Sequence, residues 1–333
     1  MLSLNGTFPP QSLKPLALAF VLDGGIGSQL EELGYPINNS VIWSGEAIID
    51  APDLLAKCHK KFIDAGADII ETNSYHVSIQ KLMESRGFSL GQAESILHKS
   101  VLIAREAIAA SGRPVALVGA VGPYATYLRD ASEYTGAYVK KPDFQEQTII
   151  DYYLLQCRPL IAAGVTTLNF ETIPSVKEVE CVAKVMDQLD DTVQAWVCCS
   201  CQDGKRTRSG DAFADAVKIA NGHPKIVAIG INCTAPDHIT ELLTEAKKAN
   251  NSKALVVYPN SGEVYNAETR KFEGDAKIDS IVAAVPHWFA LGARVFGGCC
   301  RITPSHISQI AATCRTLRNG EKEEYSTNPP NIQ

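Results

Sequence analysis

Eight short apolar runs alternate with eight longer amphipathic stretches along most of this chain. The runs are rich in Val, Ile and Ala and almost continuously hydrophobic, which is typical of parallel strands buried on both faces. The predicted strands are Ala17–Asp23, Asp68–Thr72, Val115–Val121, Thr166–Glu171, Gln194–Cys199, Ile226–Asn232, Ala254–Tyr258 and Arg294–Gly297. The predicted helices are Asp53–Ala65, Gln92–Ala110, Phe144–Ala163, Ser175–Leu189, Asp211–Asn221, Ala235–Asn250, Ile278–Leu291 and Pro304–Leu317.

The junctions from helix to strand repeat one signal. Gly66, Gly164 and Gly292 each follow a predicted helix and precede a strand, and glycine readily adopts the left-handed conformation that ends a helix. Eight β–α units in series predict an α/β fold, a (β/α)8 TIM barrel with its active site at the C-terminal ends of the strands. An open, doubly wound sheet is the alternative, because alternation alone does not show closure. We expect one barrel over residues 16–318, with mobile tails at 1–15 and 319–333.

Composition argues against several classes of function. The chain has 333 residues, and 31 Lys and Arg against 37 Asp and Glu give a net charge of -6. It lacks the basic stripe that neutralises phosphates, so we expect no nucleic-acid partner. No run approaches the ~18 apolar residues of a membrane span, and no secretion signal is evident. We therefore expect a cytoplasmic monomer that binds small molecules, with its ten cysteines mostly reduced.

Polar residues stand at or just beyond the ends of the predicted strands, where a barrel gathers them at one mouth. They are Asp23, Asn73, Glu171, Cys233 and the pair Cys299 and Cys300. The three cysteines could supply thiolates to one zinc and leave the fourth position open, as in catalytic sites. Adjacent cysteines on a regular strand point to opposite faces, so we expect Gly297 and Gly298 to bend the backbone. Alternatively, these cysteines are merely small buried residues.

A second group of cysteines follows the fifth predicted strand. The two-residue period places Cys199 and Cys201 on one face and Cys198 on the other. No glycine beside them would let the chain fold around an ion. We expect core or wall residues, with Cys201 near the pocket. His76, which follows the second strand, is also expected to be a wall residue.

The segment from Asp23 to Gly27 is rich in glycine but does not fit the dinucleotide-binding pattern. The backbone N–H groups of Gly24 and Gly25 could instead approach a carboxylate, while Asp23 and Glu171 suit an ammonium group. These groups together describe an amino-acid ligand, and Asn73 is a further candidate contact. Two long connections, 124–147 and 260–277, carry aromatic residues and are either lids or packed surface loops.

The order of motifs from Phe20 to Ile310 resembles the homocysteine S-methyltransferases. This family is related to the betaine-dependent enzyme and to the homocysteine module of cobalamin-dependent methionine synthase. The motifs are Leu22-Asp23-Gly24-Gly25, Ile42-Trp43-Ser44, Glu71-Thr72-Asn73-Ser74-Tyr75, Phe170-Glu171-Thr172-Ile173-Pro174, Gly230-Ile231-Asn232-Cys233, Tyr258-Pro259-Asn260-Ser261-Gly262-Glu263 and Gly297-Gly298-Cys299-Cys300-Arg301. One departure is that His76 and Val77 follow Tyr75, where the family commonly has Gln-Ala.

The resemblance implies a TIM barrel that holds one zinc through Cys233, Cys299 and Cys300. It also implies homocysteine as the methyl acceptor, with Asp23 and Glu171 near its amino-acid group. The sequence ends soon after the last predicted helix and so resembles the short branch, whose donor is S-methylmethionine or S-adenosylmethionine. Such a sulfonium donor leaves as a neutral thioether and needs no general acid. Selenocysteine as acceptor and betaine as donor are alternatives, and a non-catalytic zinc or redox-sensing barrel is the alternative of another class.

Overall fold

The structure, a computed structural model, describes residues 18–37, 40–249, 251–266 and 271–327. Its strands are β1 (Phe20–Val21), β2 (Ile69–Glu71), β3 (Ala116–Val121), β4 (Thr167–Ile173), β5 (Gln194–Cys199), β6 (Ile226–Asn232), β7 (Ala254–Tyr258), β8 (Val264–Asn266), β9 (Lys271–Glu273) and β10 (Ala293–Phe296). Its helices are α1 (Ile26–Glu32), α2 (Ala47–Asp50), α3 (Pro52–Asp64), α4 (Ile79–Arg86), α5 (Leu90–Ser111), α6 (Ala125–Leu128), α7 (Glu146–Ala162), α8 (Val176–Gln188), α9 (Phe213–Gly222), α10 (Ile239–Lys248), α11 (Ile278–Ala290) and α12 (Pro304–Thr327).

Eight parallel strands form a barrel. Their hydrogen-bonded order is β1-β10-β7-β6-β5-β4-β3-β2. The two outer members of this order also meet, because Leu22 forms a parallel bridge with Ile69. The Asp23 N–H donates to the Ile69 carbonyl over 3.1 Å at the same seam. This contact excludes the open, doubly wound sheet and confirms the predicted (β/α)8 TIM barrel.

Strand β5 shows how the sequence divides the apolar core into two layers. Trp196 and Cys198 point into the barrel and pack with the interior cluster. Ala195, Val197 and Cys199 point outward and pack against the helices. Full burial of a large apolar side chain stabilises the fold by about 1.5–3 kcal/mol. Residues on both faces of β5 are buried, so both faces stabilise the strand at its position in the sheet.

The three junction glycines end their helices as predicted. Their φ angles are 112° at Gly66, 89° at Gly164 and 108° at Gly292. A side chain is strained at such angles, whereas glycine is not. The chain can therefore leave each helix and enter the next strand within two to four residues.

Four helices, α1, α2, α4 and α6, were not anticipated from the sequence pattern. Helix α1 starts at Ile26, directly after glycines that suggest a loop. Helix α4 is short, but its signals are clear: the Ser78 hydroxyl accepts from the Lys81 N–H over 3.3 Å, and Gly87 ends the helix with φ 66°. The serine cap and the glycine nine residues later could have identified this helix from sequence.

The last helix, α12, continues to Thr327, ten residues beyond the predicted end at Leu317. Residues 321–324 are Glu, Lys, Glu and Glu, which are good helix formers, and no proline occurs between Leu317 and Pro329. The predicted N-terminal tail, 1–15, and residues 328–333 lie outside the described residues.

Among the described helices, none is both long enough and apolar enough to cross a lipid bilayer.

Candidate active site and metal centre

Three cysteine thiols meet at the C-terminal mouth of the barrel. Cys233 follows β6 directly, and Cys299 and Cys300 follow β10 after two glycines. Their Sγ atoms all lie within 4.8 Å of one another, and those of Cys233 and Cys300 are 4.0 Å apart. Three thiolates bound to one zinc at about 2.3 Å in tetrahedral geometry stand about 3.8 Å apart. The cluster therefore fits a zinc ion and leaves a fourth position for another ligand.

The thiols are coupled to one another through hydrogen bonds. Bonds from Cys233 and Cys299 hold the pKa of Cys300 well below its ordinary value. The bond to Cys233 raises the pKa of Cys299 well above its ordinary value. One member of the cluster therefore ionises more readily than its neighbours, and a thiolate is the form that binds metal.

The backbone turns sharply at the cysteines, although not where the sequence suggested. Cys233 has a φ of 47° and Arg301 a φ of 67°, both in the left-handed region. Gly297 and Gly298, which were expected to supply the bend, lie outside that region. Close packing requires them to be glycines instead, because a Cβ on Gly297 would lie 2.7 Å from the Asp23 carbonyl oxygen and one on Gly298 would overlap a neighbouring side chain.

The loop after β1 packs against the loop after β10. The Gly25 N–H donates to the Ile302 carbonyl over 2.9 Å. This amide is therefore unavailable to a substrate carboxylate, contrary to the sequence-based prediction. A Cβ on Gly24 would lie 2.5 Å from the same carbonyl oxygen. No acceptor for the Gly24 N–H lies in the described part of the chain, so that amide is free to bind an anion.

Three carboxyl groups, those of Asp23, Glu71 and Glu171, lie together in this mouth. Burial raises the pKa of Asp23 and of Glu171 well above their ordinary values, and repulsion from Glu71 adds to both shifts. Burial also raises the pKa of Glu71 to about 7. Among the ion pairs of the described residues, none includes these acids. A ligand cation would supply the missing countercharge.

A bulge in β4 turns Glu171 toward the mouth. The register with β5 shifts after Phe170, and Thr172 has a φ of 60°. Asn232 holds this strained turn: its Oδ1 accepts from the Thr172 N–H and its Nδ2 donates to the Thr172 hydroxyl, each over 2.8 Å. The same Nδ2 lies 3.4 Å from Glu171 Oε2. The residue before Cys233 thus also orients the acid.

Polar side chains inside the barrel complete the acid cluster. Asn169 Nδ2 donates to Glu71 Oε1 over 2.7 Å and to the Tyr258 hydroxyl over 2.6 Å. That hydroxyl lies 3.4 Å from Glu171 Oε2, and Asp23 Oδ2 accepts from the Glu71 N–H over 3.0 Å. Sequence reasoning did not select Glu71, Asn169 or Tyr258 as site residues. The signal was available for Glu71, which ends β2 as Asp23 follows β1.

Asn73 supports the segment that carries Trp43. Its Oδ1 accepts from the Ser44 hydroxyl over 3.1 Å, and its Nδ2 donates to the Ser44 carbonyl over 2.7 Å. Ser44 belongs to a 3-10 helix, Trp43–Glu46, that follows the first β–α unit. Both polar atoms of Asn73 are therefore used within the protein, and its contact with substrate stays a prediction.

Aromatic rings line the mouth beside the thiols. The rings of Trp43 and His76 are stacked with centroids 5.3 Å apart, and Tyr75 meets His76 edge-on at 4.5 Å. Burial lowers the pKa of His76 to about 4, so its ring is neutral at pH 7. The stacking places His76 beside Trp43 in the mouth, and its assignment as a wall residue stays a prediction. Trp43 keeps 37% of its surface exposed and presents an accessible ring.

The connection 124–147 approaches the thiols through Tyr134. The charges of Cys233 and Cys300 raise the pKa of Tyr134, whose hydroxyl lies near them. A buried carboxylate, Glu178, anchors this connection by accepting from the Tyr124 N–H over 2.9 Å and from the Tyr138 hydroxyl. A lid and a packed surface loop both remain predictions for this connection.

The other long connection, 260–277, contains the antiparallel hairpin of β8 and β9. Its residues 267–270, and the side chains of Tyr265 and Phe272 that suggested a lid, lie outside the described residues. At its start, Glu263 forms an ion pair with Arg301 at 3.3 Å. The prediction of a second lid is therefore untested.

The second cysteine group is structural, as predicted. Cys198 packs inside the barrel, and Cys199 and Cys201 pack outside it. All three are buried. The expectation that Cys201 lies near the pocket is wrong for its side chain, which belongs to the outer apolar layer.

Comparisons with known proteins agree with this site. The family model described as homocysteine S-methyltransferase matches residues 20–314. The chain is 37% identical to homocysteine S-methyltransferase 4 of Zea mays, covering 91% of each protein. It is also 37% identical to homocysteine S-methyltransferase YbgG of Bacillus subtilis, covering 90% of this chain and 95% of that protein.

The chain belongs to the homocysteine S-methyltransferase family. A solved member of this family, the metallated form of the homocysteine methyltransferase MmuM from Escherichia coli, superposes with a TM-score of 0.78. That alignment has 30% identity and covers 90% of this chain and 98% of the other. A member of the homocysteine S-methyltransferase family is thus known with bound metal, and this chain presents three thiols suited to one.

Proposed function

We propose that this enzyme transfers a methyl group from a sulfonium donor to the thiolate of homocysteine and so forms methionine. This proposal rests on one observation: three thiols and a buried cluster of acids lie at the same mouth of the barrel. The thiols suit a metal that binds sulfur, and the acids suit an ammonium group. An amino acid with a thiol side chain satisfies both at once.

The acceptor is held at its two ends by different chemistry. Asp23 and Glu171 are buried, at 3% and 7% exposure, and their shared negative charge is relieved when an ammonium group binds between them. The Gly24 N–H supports binding of the carboxylate. Cys233, Cys299 and Cys300 would hold one zinc, which would leave a fourth position for a ligand such as the substrate sulfur. When bound, zinc lowers the pKa of a coordinated thiol and keeps it as a thiolate.

The transfer then needs little proton chemistry. The thiolate of homocysteine forms a bond to the methyl carbon as the bond from that carbon to the donor sulfur breaks. The donor sulfur keeps the electron pair and leaves as a neutral thioether. No side chain must therefore donate a proton, and the protein contributes by holding sulfur and carbon in line.

The donor is proposed to bind against the aromatic rings. Trp43, Tyr75 and Tyr134 border the mouth, and the faces of such rings attract a cation. A sulfonium carries its positive charge on the atom attached to the transferred methyl group. S-methylmethionine and S-adenosylmethionine both have this property. Betaine is also a cation, so the rings alone do not separate it from the sulfonium donors.

A direct assay tests the proposed function. Purified reduced protein, with its zinc content measured, is incubated with homocysteine and separately with S-methylmethionine, S-adenosylmethionine or betaine, and methionine is quantified. We expect turnover with at least one sulfonium donor. Turnover with betaine alone would assign the other donor class, and one zinc per chain without turnover would favour a non-catalytic zinc or redox-sensing protein. Selenocysteine in place of homocysteine tests the alternative acceptor.

A further inference from the structure

The conformation of Cys233 requires support from its surroundings. Its φ of 47° is rare for a residue with a side chain, and such a conformation persists only where neighbouring groups fix it. The residues on either side are bonded to the barrel: Asn232 to Thr172, and Thr234 to the Cys201 N–H over 2.9 Å. The Cys233 carbonyl must also be held in place, because its direction sets the turn that orients the thiol.

Arg208 reaches this carbonyl by two routes. Its Nη2 donates to the Cys233 carbonyl oxygen over 3.2 Å. Its Nε donates to the Ser200 hydroxyl over 3.0 Å, and that hydroxyl donates to the same carbonyl over 3.2 Å. The Arg208 N–H also donates to the Ser200 carbonyl over 3.0 Å. One guanidinium therefore fixes the carbonyl directly and also orients the hydroxyl that fixes it.

The same guanidinium contacts the connection 124–147 at Tyr134. Its central carbon lies 5.6 Å from the centroid of the Tyr134 ring. Next to Arg208, the Ser209 carbonyl accepts from the Lys140 ammonium of the same connection. Arg208 thus contacts both the backbone of Cys233 and the ring of Tyr134, which lies near the three thiols.

We propose that Arg208 is a positioning residue that holds Cys233 in its metal-binding conformation and joins it to the connection 124–147. This inference rests on the proposed metal site. A lysine at position 208 could donate to the Cys233 carbonyl, but its compact ammonium lacks the fork that bonds carbonyl and hydroxyl together. The role therefore calls for arginine, and Arg208→Lys should preserve only part of it.

The test compares Arg208→Gln and Arg208→Lys with a control in the same loop, Arg206→Gln. Arg206 is exposed and pairs with Asp203 at 2.6 Å. Zinc affinity is measured by competition with a chelator, and thermal unfolding is measured on metal-free protein. We expect roughly 10- to 100-fold weaker zinc binding in Arg208→Gln, as for other groups that orient metal ligands. Arg208→Lys should be intermediate, the control unchanged, and the metal-free Tm of each variant close to wild type.

Different failures are distinguishable. If the wild-type chain binds no zinc, both the proposed function and this inference are overturned. If wild type binds zinc and Arg208→Gln binds it within about twofold as tightly, only this inference is overturned. If Arg208→Gln and Arg208→Lys lose zinc affinity equally and both have a lower metal-free Tm, Arg208 has a folding role. That result would also overturn this inference. Should Arg208→Gln not fold, Ser200→Ala removes the indirect route alone and must still weaken zinc binding.

Discussion

A Cβ placed on Gly25 would lie 2.6 Å from the carbonyl oxygen of Cys299. This contact joins the loop after the first barrel strand to the loop that carries two of the three thiols. The positions of the loop after β1 and of the loop that carries Cys299 and Cys300 are consequently coupled. Neither can shift without moving the other.

Replacing Gly25 with Ala should therefore damage both stability and metal binding. The added methyl group must displace the Cys299 backbone, and overpacking of this kind costs about 1–3 kcal/mol. Urea unfolding and zinc content measure the two effects. Gly91→Ala is the matched control, because a Cβ on Gly91 meets nothing within 4 Å and lies inside helix α5. That control should be neutral or slightly stabilising.

Reduced protein should contain about one zinc per chain, as expected for a single three-thiol site. The double variant Cys299→Ala, Cys300→Ala should lose this zinc on dialysis, because Cys233 alone cannot fill a tetrahedral site. Cys181→Ala removes a thiol from the outer core and should retain the metal. Elemental analysis of all three proteins decides the matter, and full occupancy in the double variant would refute the assignment.

Glu171→Gln should weaken homocysteine use without changing zinc content. The substitution keeps the shape of the side chain but removes a charge-assisted hydrogen bond to the ammonium, worth about 1.5–3 kcal/mol. That corresponds to a roughly 10- to 150-fold lower kcat/KM for homocysteine. Steady-state kinetics with homocysteine varied provide the measurement, and Glu180→Gln on the surface of α8 is the control. An unaltered kcat/KM would show that Glu171 does not read the substrate.

Trp43→Leu should raise the KM for the sulfonium donor about 5- to 30-fold while leaving the KM for homocysteine near wild type. The reason is the loss of a cation–π interaction of about 1–2 kcal/mol. Kinetics with each substrate varied separately measure the two constants. Trp288→Phe, in the buried face of α11, controls for loss of an indole elsewhere. Equal rises for both substrates would indicate a general distortion of the mouth instead.

His59 should make the fold sensitive to mild acid. It is fully buried, neither ring nitrogen has a hydrogen-bond partner among the described residues, and burial lowers its pKa from 6.5 to about 4. Between these values the unfolded chain binds more protons, so stability falls as the pH drops through 6.5 and levels off near 4. The loss from pH 7 to pH 5 is about 2 kcal/mol for this group. Urea unfolding at both pH values should show a smaller loss of stability in His59→Phe than in the wild type.

The sequence predicted the barrel well because its strands are buried on both faces. Strands β5, β6 and β7 have the predicted bounds, Gln194–Cys199, Ile226–Asn232 and Ala254–Tyr258. β4 continues two residues beyond its predicted end, because the bulge at Thr172 keeps the chain in the sheet. A bulge of this kind depends on a partner from another strand, here Asn232, and has no local pattern.

The site was predictable where a residue type and a strand end coincide. This rule found the three cysteines, Asp23 and Glu171, which the structure gathers at one mouth. The prediction failed for Gly25, whose N–H is bonded within the protein, and for Gly297 and Gly298, which do not supply the bend. A glycine required by close packing and a glycine required for backbone flexibility look the same in a sequence. Tyr134 and Arg208 lie in long connections, whose approach to the mouth depends on tertiary contacts.

The closure of β1 against β10 also determines when the metal site can exist during synthesis. Cys233 leaves the ribosome well before Cys299 and Cys300, and Asp23 long before either. Until the last strand docks beside the first, Cys233 is a lone thiol without its two partners. Binding of a metal by all three thiols would therefore have to wait until the last barrel strand has been made and has docked on the sheet.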